Sequence, residues 1–163
     1  MKVILKILLI YCLFVLLCKA CFAEEIRWDD LIAVIIHCES AGDGTAVSDK
    51  GAIGLMQITP IVLLEFKETH RGLNRPKVAD ELNFPIVPTS VDLYNPDFNK
   101  YVGTWYLKRL RDHYLKENYT LERLLCAWSG GITRLRKLNY DCSKMPYESR
   151  EFTRRVLRLY DNR

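Results

Sequence analysis

Glu39 is the residue whose type and position point most directly to acid–base chemistry. Trp28, Ile32 and Ile35 precede it at helical spacing, which places Glu39 at the C-terminal end of the apolar face of a helix. Burial disfavours the charged form of a carboxyl group, and so does the partial negative charge of a helix C-terminus. Both effects raise the carboxyl pKa toward neutrality, as a general acid requires. A glutamate that reaches water from a frayed helix end is the alternative, and helix position alone does not choose between the two.

The residues after Glu39 favour the catalytic interpretation. Over 39–60 the chain resembles the signature of the soluble lytic transglycosylase family, in which Glu-Ser closes a helix and is followed by a Ser, Gly-Ala-x-Gly and Gly-Leu-Met-Gln. The resemblance implies a lysozyme-like fold and makes Glu39 the catalytic acid/base. Eleven positions match in register over 22 residues: Glu39, Ser40, Ala46, Ser48, Gly51, Ala52, Gly54, Leu55, Met56, Gln57 and Pro60.

Two later segments are similar to the same family, so the resemblance covers nearly all of the chain after residue 23. The family's Asn-Pro-x-x-Asn segment, with a later Gly and Tyr-Leu, is similar to Asn95, Pro96, Asn99, Gly103, Tyr106 and Leu107. Its final Pro-x-Glu-Thr motif, followed by an aromatic residue, is similar to Pro146, Glu148, Ser149 and Phe152.

A third segment, 127–131, departs from the family pattern. The family has Ala-Tyr-Asn-Ala-Gly where this chain has Ala-Trp-Ser-Gly-Gly. Trp128 keeps a flat face for a sugar but loses the tyrosine hydroxyl, and Ser129 replaces an amide with a shorter hydroxyl group. We expect these changes to alter substrate binding and rate without changing the class of reaction.

The remaining candidate site residues lie in the Gly-rich segment after Glu39. A sugar has apolar faces edged with hydroxyl groups, so its cleft needs flat surfaces and hydrogen-bonding partners. We expect Ser48 and Gln57 to hydrogen-bond the substrate and Met56 to offer contact surface, with core filling as an equal alternative for Met56. We expect Gly51 and Gly54 to form a turn that requires positive φ and to bring the backbone close to the sugar.

The resemblance implies a peptidoglycan lytic transglycosylase, which cleaves the MurNAc-β-1,4-GlcNAc bond and forms 1,6-anhydro-MurNAc. Most glycosidases need two carboxyl groups. The candidates near Glu39 are Asp43 and Asp49, which lie in a polar turn that we expect to be solvated. Glu39 is therefore the expected single acid and base. A hydrolytic muramidase of the same fold and a wall-binding protein that has lost catalysis are the alternatives; the intact Glu39 and 54–57 argue against the second.

The periodicity of apolar residues predicts a single, mainly α domain over residues 24–163, and the resemblance implies that this domain has a lysozyme-like fold. The segment 71–95 contains Gly and Pro without a clear period, which indicates a long surface loop. A short β-hairpin near 44–53, after the catalytic helix, is compatible with the pattern. The expected helices, three of them capped by Thr59, Asn95 or Thr120, cover 27–40, 60–66, 96–114, 121–128 and 149–160.

Residues 1–23 have the pattern of a secretory signal peptide. A positively charged start is followed by an apolar stretch and by small residues at Ala20 and Ala23. A retained anchor helix is the alternative, but the uninterrupted apolar run over 7–17 is short against the roughly 20 residues that span a bilayer. We therefore expect an exported protein of the periplasm or cell envelope.

The formal net charge of +4 comes mainly from this leader. Three of the 24 Lys and Arg residues and none of the 20 acidic residues lie in 1–23, which leaves 21 basic and 20 acidic residues. This balance gives no electrostatic basis for a nucleic-acid partner. A basic stretch near the C-terminus is interpreted as a solvated helix face because acids are interspersed, with attraction to an anionic wall polymer as the alternative. It comprises Arg134, Arg136, Lys137, Arg150, Arg154, Arg155 and Arg158.

Three cysteines follow the leader: Cys38, Cys126 and Cys142. After residue 23 the sequence has no CxxC and no His pair at ligand spacing, so no metal or cofactor site is expected. One disulfide is allowed in an oxidising compartment. Cys38 and Cys126 flank motifs that must face the same cleft, which predicts that they are neighbours. A disulfide between them and two buried free thiols are the alternatives.

The expected partner is the peptidoglycan glycan strand, and the chain is expected to be a monomer. A single domain without a wall-anchoring module suits a gap-maker for a secretion or conjugation apparatus. It equally suits general wall turnover or a phage-derived lysin.

Overall fold

The computed structural model describes residues 26–71 and 87–163. The predicted signal peptide and most of the predicted 71–95 loop lie outside these residues. In the described part the α-helices, in chain order, are α1 Trp28–Ser40, α2 Pro60–His70, α3 Pro96–Arg109, α4 Leu121–Gly130, α5 Ile132–Lys137 and α6 Tyr147–Asp161. Shorter segments are the 3₁₀ helices Ser90–Tyr94, Lys116–Asn118 and Cys142–Lys144 and the π-helical Leu110–Leu115. The predicted mainly α fold is confirmed.

Three helices begin where side-chain caps were predicted. The side-chain oxygens of Thr59, Asn95 and Thr120 accept hydrogen bonds from backbone N–H groups in the first turns of α2, α3 and α4. These bonds satisfy donors that have no partner within the helix. Pro60 and Pro96 occupy the first helical position, where the missing N–H costs nothing.

The helix bounds differ from the prediction at several points. Helix α2 continues past Phe66 to His70, and α6 begins two residues before Ser149. Helix α3 ends at Arg109, short of the predicted end at residue 114. The chain continues from there as the π-helical segment Leu110–Leu115, which stops at Lys116, where φ is 49°. Helix α5 was missed, since it has only six residues and directly follows the stop of α4 at Gly131.

The segment between α1 and α2 forms turns, and the hairpin that the pattern allowed near 44–53 does not extend into paired strands. In this segment the structure has only two isolated bridges, which join Ile53 to Val47 on one side and to Ile58 on the other. Gly51 and Gly54 have φ values of 75° and 78°, a conformation that glycine adopts without strain. The chain therefore reverses every few residues and has no length in which to build a strand.

A buried amide holds these turns against α3. Asn99 is fully buried; its Nδ2 donates to the carbonyls of Ile53 (2.7 Å) and Leu93 (2.9 Å), and its Oδ1 accepts from the Met56 N–H (2.8 Å). A Cβ on Gly54 would lie 2.3 Å from the Asn99 Nδ2 atom. The glycine is thus required by this close approach as well as by its φ.

No helix in residues 26–71 and 87–163 has the length and apolar character needed to cross a bilayer.

We predict that Asn99→Ala lowers the free energy of unfolding by about 3 kcal/mol or more, because three buried backbone groups lose their partner and each unsatisfied group costs about 1–3 kcal/mol. Urea unfolding monitored by circular dichroism measures the change. Asn162→Ala is the matched control, since Asn162 is exposed at the end of α6, and it should change stability by less than about 0.5 kcal/mol. Equal stabilities of the two variants would contradict the role given to Asn99.

Candidate active site

A cleft of about 500 Å³ opens where the C-terminal end of α1 meets the turns, the end of α4 and the start of α6. Five of the seven predicted site residues line this cleft: Glu39, Ser48, Gln57, Trp128 and Ser129. The other two, Met56 and Gly54, lie in the interior behind its wall. Residues far apart in sequence thus come together around the Glu39 carboxyl group.

The end of α1 is fixed so that Glu39 faces the cleft. Ala41 adopts the left-handed conformation (φ 54°), and its N–H donates to the His37 carbonyl to close the helix. The Ser40 hydroxyl donates to the Leu55 carbonyl at 2.8 Å, which ties the helix end to the turns. The frayed end considered as an alternative is therefore not found.

Trp128 is the direct hydrogen-bond partner of Glu39. Its indole Nε1–H donates to Glu39 Oε1 at 2.8 Å. The Trp128 ring also lies 5.9 Å from the ring of Tyr106, which lines the same cleft. We predicted a flat sugar platform for Trp128 and no site role for Tyr106. The donor role of Trp128 was missed, because a tryptophan on a helix face gives no indication of where its N–H points.

The pKa of Glu39 is raised, and burial of the carboxyl group is the main cause. The Trp128 hydrogen bond and the positive charge of Arg155 act in the opposite direction, since both stabilise the ionised form. Arg155 also donates through Nη2 to the Cys38 carbonyl at 2.8 Å, next to Glu39 in sequence. Sequence reasoning placed Arg155 in a solvated helix face; it is exposed, but it lines the cleft.

Ser48 and Gln57 brace the wall of the cleft. Ser48 Oγ accepts a hydrogen bond from the Ala52 N–H at 3.0 Å, and its own O–H remains a donor. Gln57 Nε2 donates to the carbonyls of Ala46 and Gly54, both at 3.1 Å. Some of the polar atoms of Ser48 and Gln57 that were expected to bind substrate therefore form hydrogen bonds within the turns and stabilise them.

Met56 fills the core instead of offering contact surface. Its side chain is 0% exposed, and its sulfur lies so close to Gly103 that a Cβ there would be 2.4 Å away. The structure decides for the core-filling alternative. Gly54 is buried as well, so its close backbone approach is to Asn99, not to a sugar. The predicted positive φ of Gly51 and Gly54 is confirmed.

Ser129, at the end of α4, is half-buried in the cleft wall, and its hydroxyl donates to the Leu125 carbonyl at 3.0 Å. Within the part of the chain that the structure describes, no three His, Cys, Asp or Glu side chains are grouped as metal ligands.

The family model for the transglycosylase SLT domain matches residues 22–145. The chain belongs to this family. SLT relatives include the membrane-bound lytic murein transglycosylase E of Buchnera aphidicola subsp. Baizongia pistaciae, 39% identical over 111 residues that make up 66% of this chain and 47% of that protein. The membrane-bound lytic murein transglycosylase C of Actinobacillus pleuropneumoniae serotype 5b is 37% identical over 116 residues, or 68% of this chain and 29% of that protein. The chain thus spans less than half the length of these relatives.

Two solved SLT structures share the fold. The 70 kDa soluble lytic transglycosylase of Escherichia coli superimposes with a TM-score of 0.61 at 23% identity, covering 88% of this chain and 22% of that one. An inactive mutant of the lytic transglycosylase Slt from Pseudomonas aeruginosa gives 0.60 at 23% identity, covering 80% and 20%. The predicted lysozyme-like fold of this SLT domain is confirmed.

We predict that Trp128→Phe raises the pKa of Glu39 further in this SLT domain. The substitution keeps an aromatic ring but removes the N–H that stabilises the carboxylate, while the burial that disfavours the charge remains. Carboxyl-carbon NMR titration of the folded protein measures the change.

Trp105→Phe is the control, since Trp105 does not line the cleft. Its ring packs against that of Phe66, with 5.1 Å between the ring centroids. It should leave the Glu39 titration where it is. A Glu39 pKa that falls or stays constant in the Trp128 variant would show that the indole N–H does not stabilise the carboxylate.

Proposed function

We propose that this chain is a peptidoglycan lytic transglycosylase that cleaves the MurNAc-β-1,4-GlcNAc bond and leaves a 1,6-anhydro-MurNAc end. Glu39 is its single acid and base. The observation that carries the proposal is a buried carboxyl group with a raised pKa at the bottom of a cleft lined by an indole, an amide and hydroxyl groups. That combination of an acid with flat and polar surfaces suits a glycan strand.

A second catalytic carboxylate finds little support near Glu39. Asp43 and Asp49, the candidates from the sequence, are both exposed and do not line the cleft. The Asp43 carboxylate accepts hydrogen bonds from the N–H and O–H of Thr45, both at 2.7 Å, which lower its pKa. Such a group is well suited to stay ionised in a turn and poorly suited to take part in bond cleavage.

Among the residues that the structure describes, Glu148 is the other acid that lines the cleft. Its side chain is 84% exposed and forms an ion pair with Lys50 at 3.5 Å. Because both partners are bathed in water, the pair contributes little to stability. We assign Glu148 to the rim of the cleft and give it no chemical step. Its presence is the one observation that favours a hydrolytic muramidase, in which a second carboxylate would act.

One residue suffices if the substrate supplies the nucleophile. Glu39, protonated, gives its proton to the oxygen of the scissile bond as that bond breaks, and the N-acetyl group stabilises the cationic sugar. Glu39, now ionised, takes the proton of the sugar's 6-hydroxyl, whose oxygen bonds to C1 and closes the anhydro ring. The acid form is restored, and no water is consumed. The indole of Trp128 and the charge of Arg155 stabilise the carboxylate between the two steps.

Localisation and partners are proposed on the sequence pattern. We propose that residues 1–23 are a signal peptide, that 24–163 form the catalytic domain, and that the enzyme works as a monomer in the periplasm or cell envelope on glycan strands. Service to a secretion or conjugation apparatus is the proposed role of such a wall-cutting domain, with general wall turnover as the alternative.

Glu39→Gln tests the assignment of the acid and base. The amide keeps the shape of the side chain and carries no transferable proton, so lytic turnover on purified peptidoglycan should fall by about 100-fold or more. Glu148→Gln is the matched control in the same cleft and should change turnover by less than about fivefold, as loss of an exposed ion pair allows.

Thermal unfolding at pH 8 shows whether the Glu39→Gln variant is folded. A raised pKa means that the native wild type loses stability as pH rises through that pKa, whereas the amide carries no charge to bury. Glu39→Gln should therefore unfold at no lower temperature than wild type. Turnover above a tenth of wild type in this variant would refute the proposed role of Glu39, and a comparable loss in Glu148→Gln would favour the muramidase.

A further inference from the structure

Two of the three cysteines in residues 26–71 and 87–163 lie together, away from the candidate active-site cleft. Cys126, on α4, is 1% exposed, and Cys142, which begins the 3₁₀ helix Cys142–Lys144, is 8% exposed. Both line a second cavity, of about 280 Å³, between α4 and α6. Cys38 lies instead at the end of α1, outside this cavity.

The two thiols are direct neighbours. Burial raises the pKa of the Cys142 thiol, and contact with the Cys126 thiol raises it further. On its other side the Cys126 sulfur lies 3.6 Å from the hydroxyl oxygen of Thr153. Of the two alternatives from the sequence, a Cys38–Cys126 disulfide or free thiols, the structure has Cys38, Cys126 and Cys142 as free thiols. The thiol beside Cys126 is that of Cys142, which the sequence did not predict.

The surroundings of Cys38 differ from those of this pair. Its backbone carbonyl is held by Arg155, and the charged groups that influence its thiol are Arg155, Glu39 and Arg158. Burial raises its pKa. No second cysteine is among these neighbours in residues 26–71 and 87–163, so Cys38 is the thiol expected to stay reduced.

We propose that Cys126 and Cys142 form a disulfide when the chain folds in an oxidising compartment. One cysteine thiolate attacks the disulfide bond of a small-molecule or protein oxidant, such as oxidised glutathione, forms a mixed disulfide and releases one thiol. The other cysteine then attacks the protein sulfur of that bond, forms the Cys126–Cys142 bond and releases the second thiol. The two cysteines lose two protons and two electrons in all, and the oxidant takes up both.

The bond would link α4 to the segment that precedes α6, and both helices contribute residues to the cleft. It closes a loop over 126–142 that contains α5 and the two left-handed residues Asn139 and Tyr140. Trp128 lies two residues beyond Cys126 on α4, and Glu148 lies in the first turn of α6, shortly after Cys142. Closing such a loop restricts the unfolded chain, so the oxidised protein should be the more stable form.

The raised pKa of Cys142 sets the conditions of the experiment. A buried, protonated thiol reacts slowly with a disulfide, because the thiolate is the nucleophile. Oxidation should therefore be efficient during folding and slow in the native state. The chain is reduced, unfolded and refolded either with a mixture of reduced and oxidised glutathione or with excess reductant.

Alkylation, proteolysis and mass spectrometry then identify the linked peptides. In the glutathione sample we expect the peptide of Cys126 joined to that of Cys142 and an alkylated Cys38. The midpoint of thermal unfolding should be higher by about 10 °C than in the reduced sample. Cys38→Ser should keep the link and the shift, whereas Cys142→Ser should abolish both.

Alkylation of Cys126 and Cys142 as free thiols after oxidative refolding would overturn the proposal. A link from either one to Cys38, or a lasting glutathione adduct, would overturn it as well. The peptide map of the wild-type protein distinguishes these outcomes even if Cys142→Ser folds poorly. None of these readouts uses lytic activity, so their outcome is independent of the proposed enzyme function.

Discussion

Under the proposed function, the Glu39 carboxyl group must be shielded from water and still remain accessible to a glycan strand, and the arrangement of α1, α4 and α6 is interpreted from that constraint. Water would lower the pKa of Glu39 to its ordinary range, where the acid form is scarce at neutral pH. Two elements shield the carboxyl group: α1 carries it inward, and α4 places the indole of Trp128 against it. Helix α6 adds the positive charge of the exposed Arg155. Burial raises the pKa of Glu39 while the Trp128 hydrogen bond and the Arg155 charge lower it, which suits the acid and base role proposed for Glu39.

The wall opposite these helices has no regular structure of its own. Its turns carry two isolated bridges, so their shape depends on outside support. The buried amide of Asn99 supplies three hydrogen bonds from α3, and Ser40 supplies another from the end of α1. Gly54 allows the amide to approach. The same hydrogen bonds that define the cleft wall thus connect the catalytic helix to the core.

Local signals in the sequence predicted much of this fold. Caps at Thr59, Asn95 and Thr120 depend on a few neighbouring residues, and the structure has all three. Helix α5 was missed because six residues are too few to show a period. The short hairpin that the pattern allowed is reduced to isolated bridges, because positive φ at Gly51 and Gly54 turns the chain too often for paired strands to extend, a feature that alternation of residue types does not reveal.

The site was harder to predict wherever a role depends on direction or on a distant partner. The role of Met56 could not be predicted, because a methionine side chain suits a hydrophobic core and a sugar-binding surface equally well. Its complete burial in the structure distinguishes the two roles. The indole of Trp128 was expected to offer a flat face to a sugar, and the hydrogen bond from its N–H to Glu39, 89 residues away, was not predicted. The position of Arg155 in the cleft could not be predicted, because the sequence does not distinguish it from the other basic residues of α6. The neighbour of Cys126 depends on the path of the chain through α5, which was the helix not foreseen.

The fate of water in the reaction tests the central claim most directly. Purified peptidoglycan is digested in water enriched in heavy oxygen, and the released muropeptides are resolved by mass spectrometry. If Glu39 acts alone and the 6-hydroxyl closes the ring, the new MurNAc ends will be one water lighter than hydrolysed ends and will carry no label. New reducing ends that contain the heavy oxygen would contradict the account, because they require a water molecule activated by a second group.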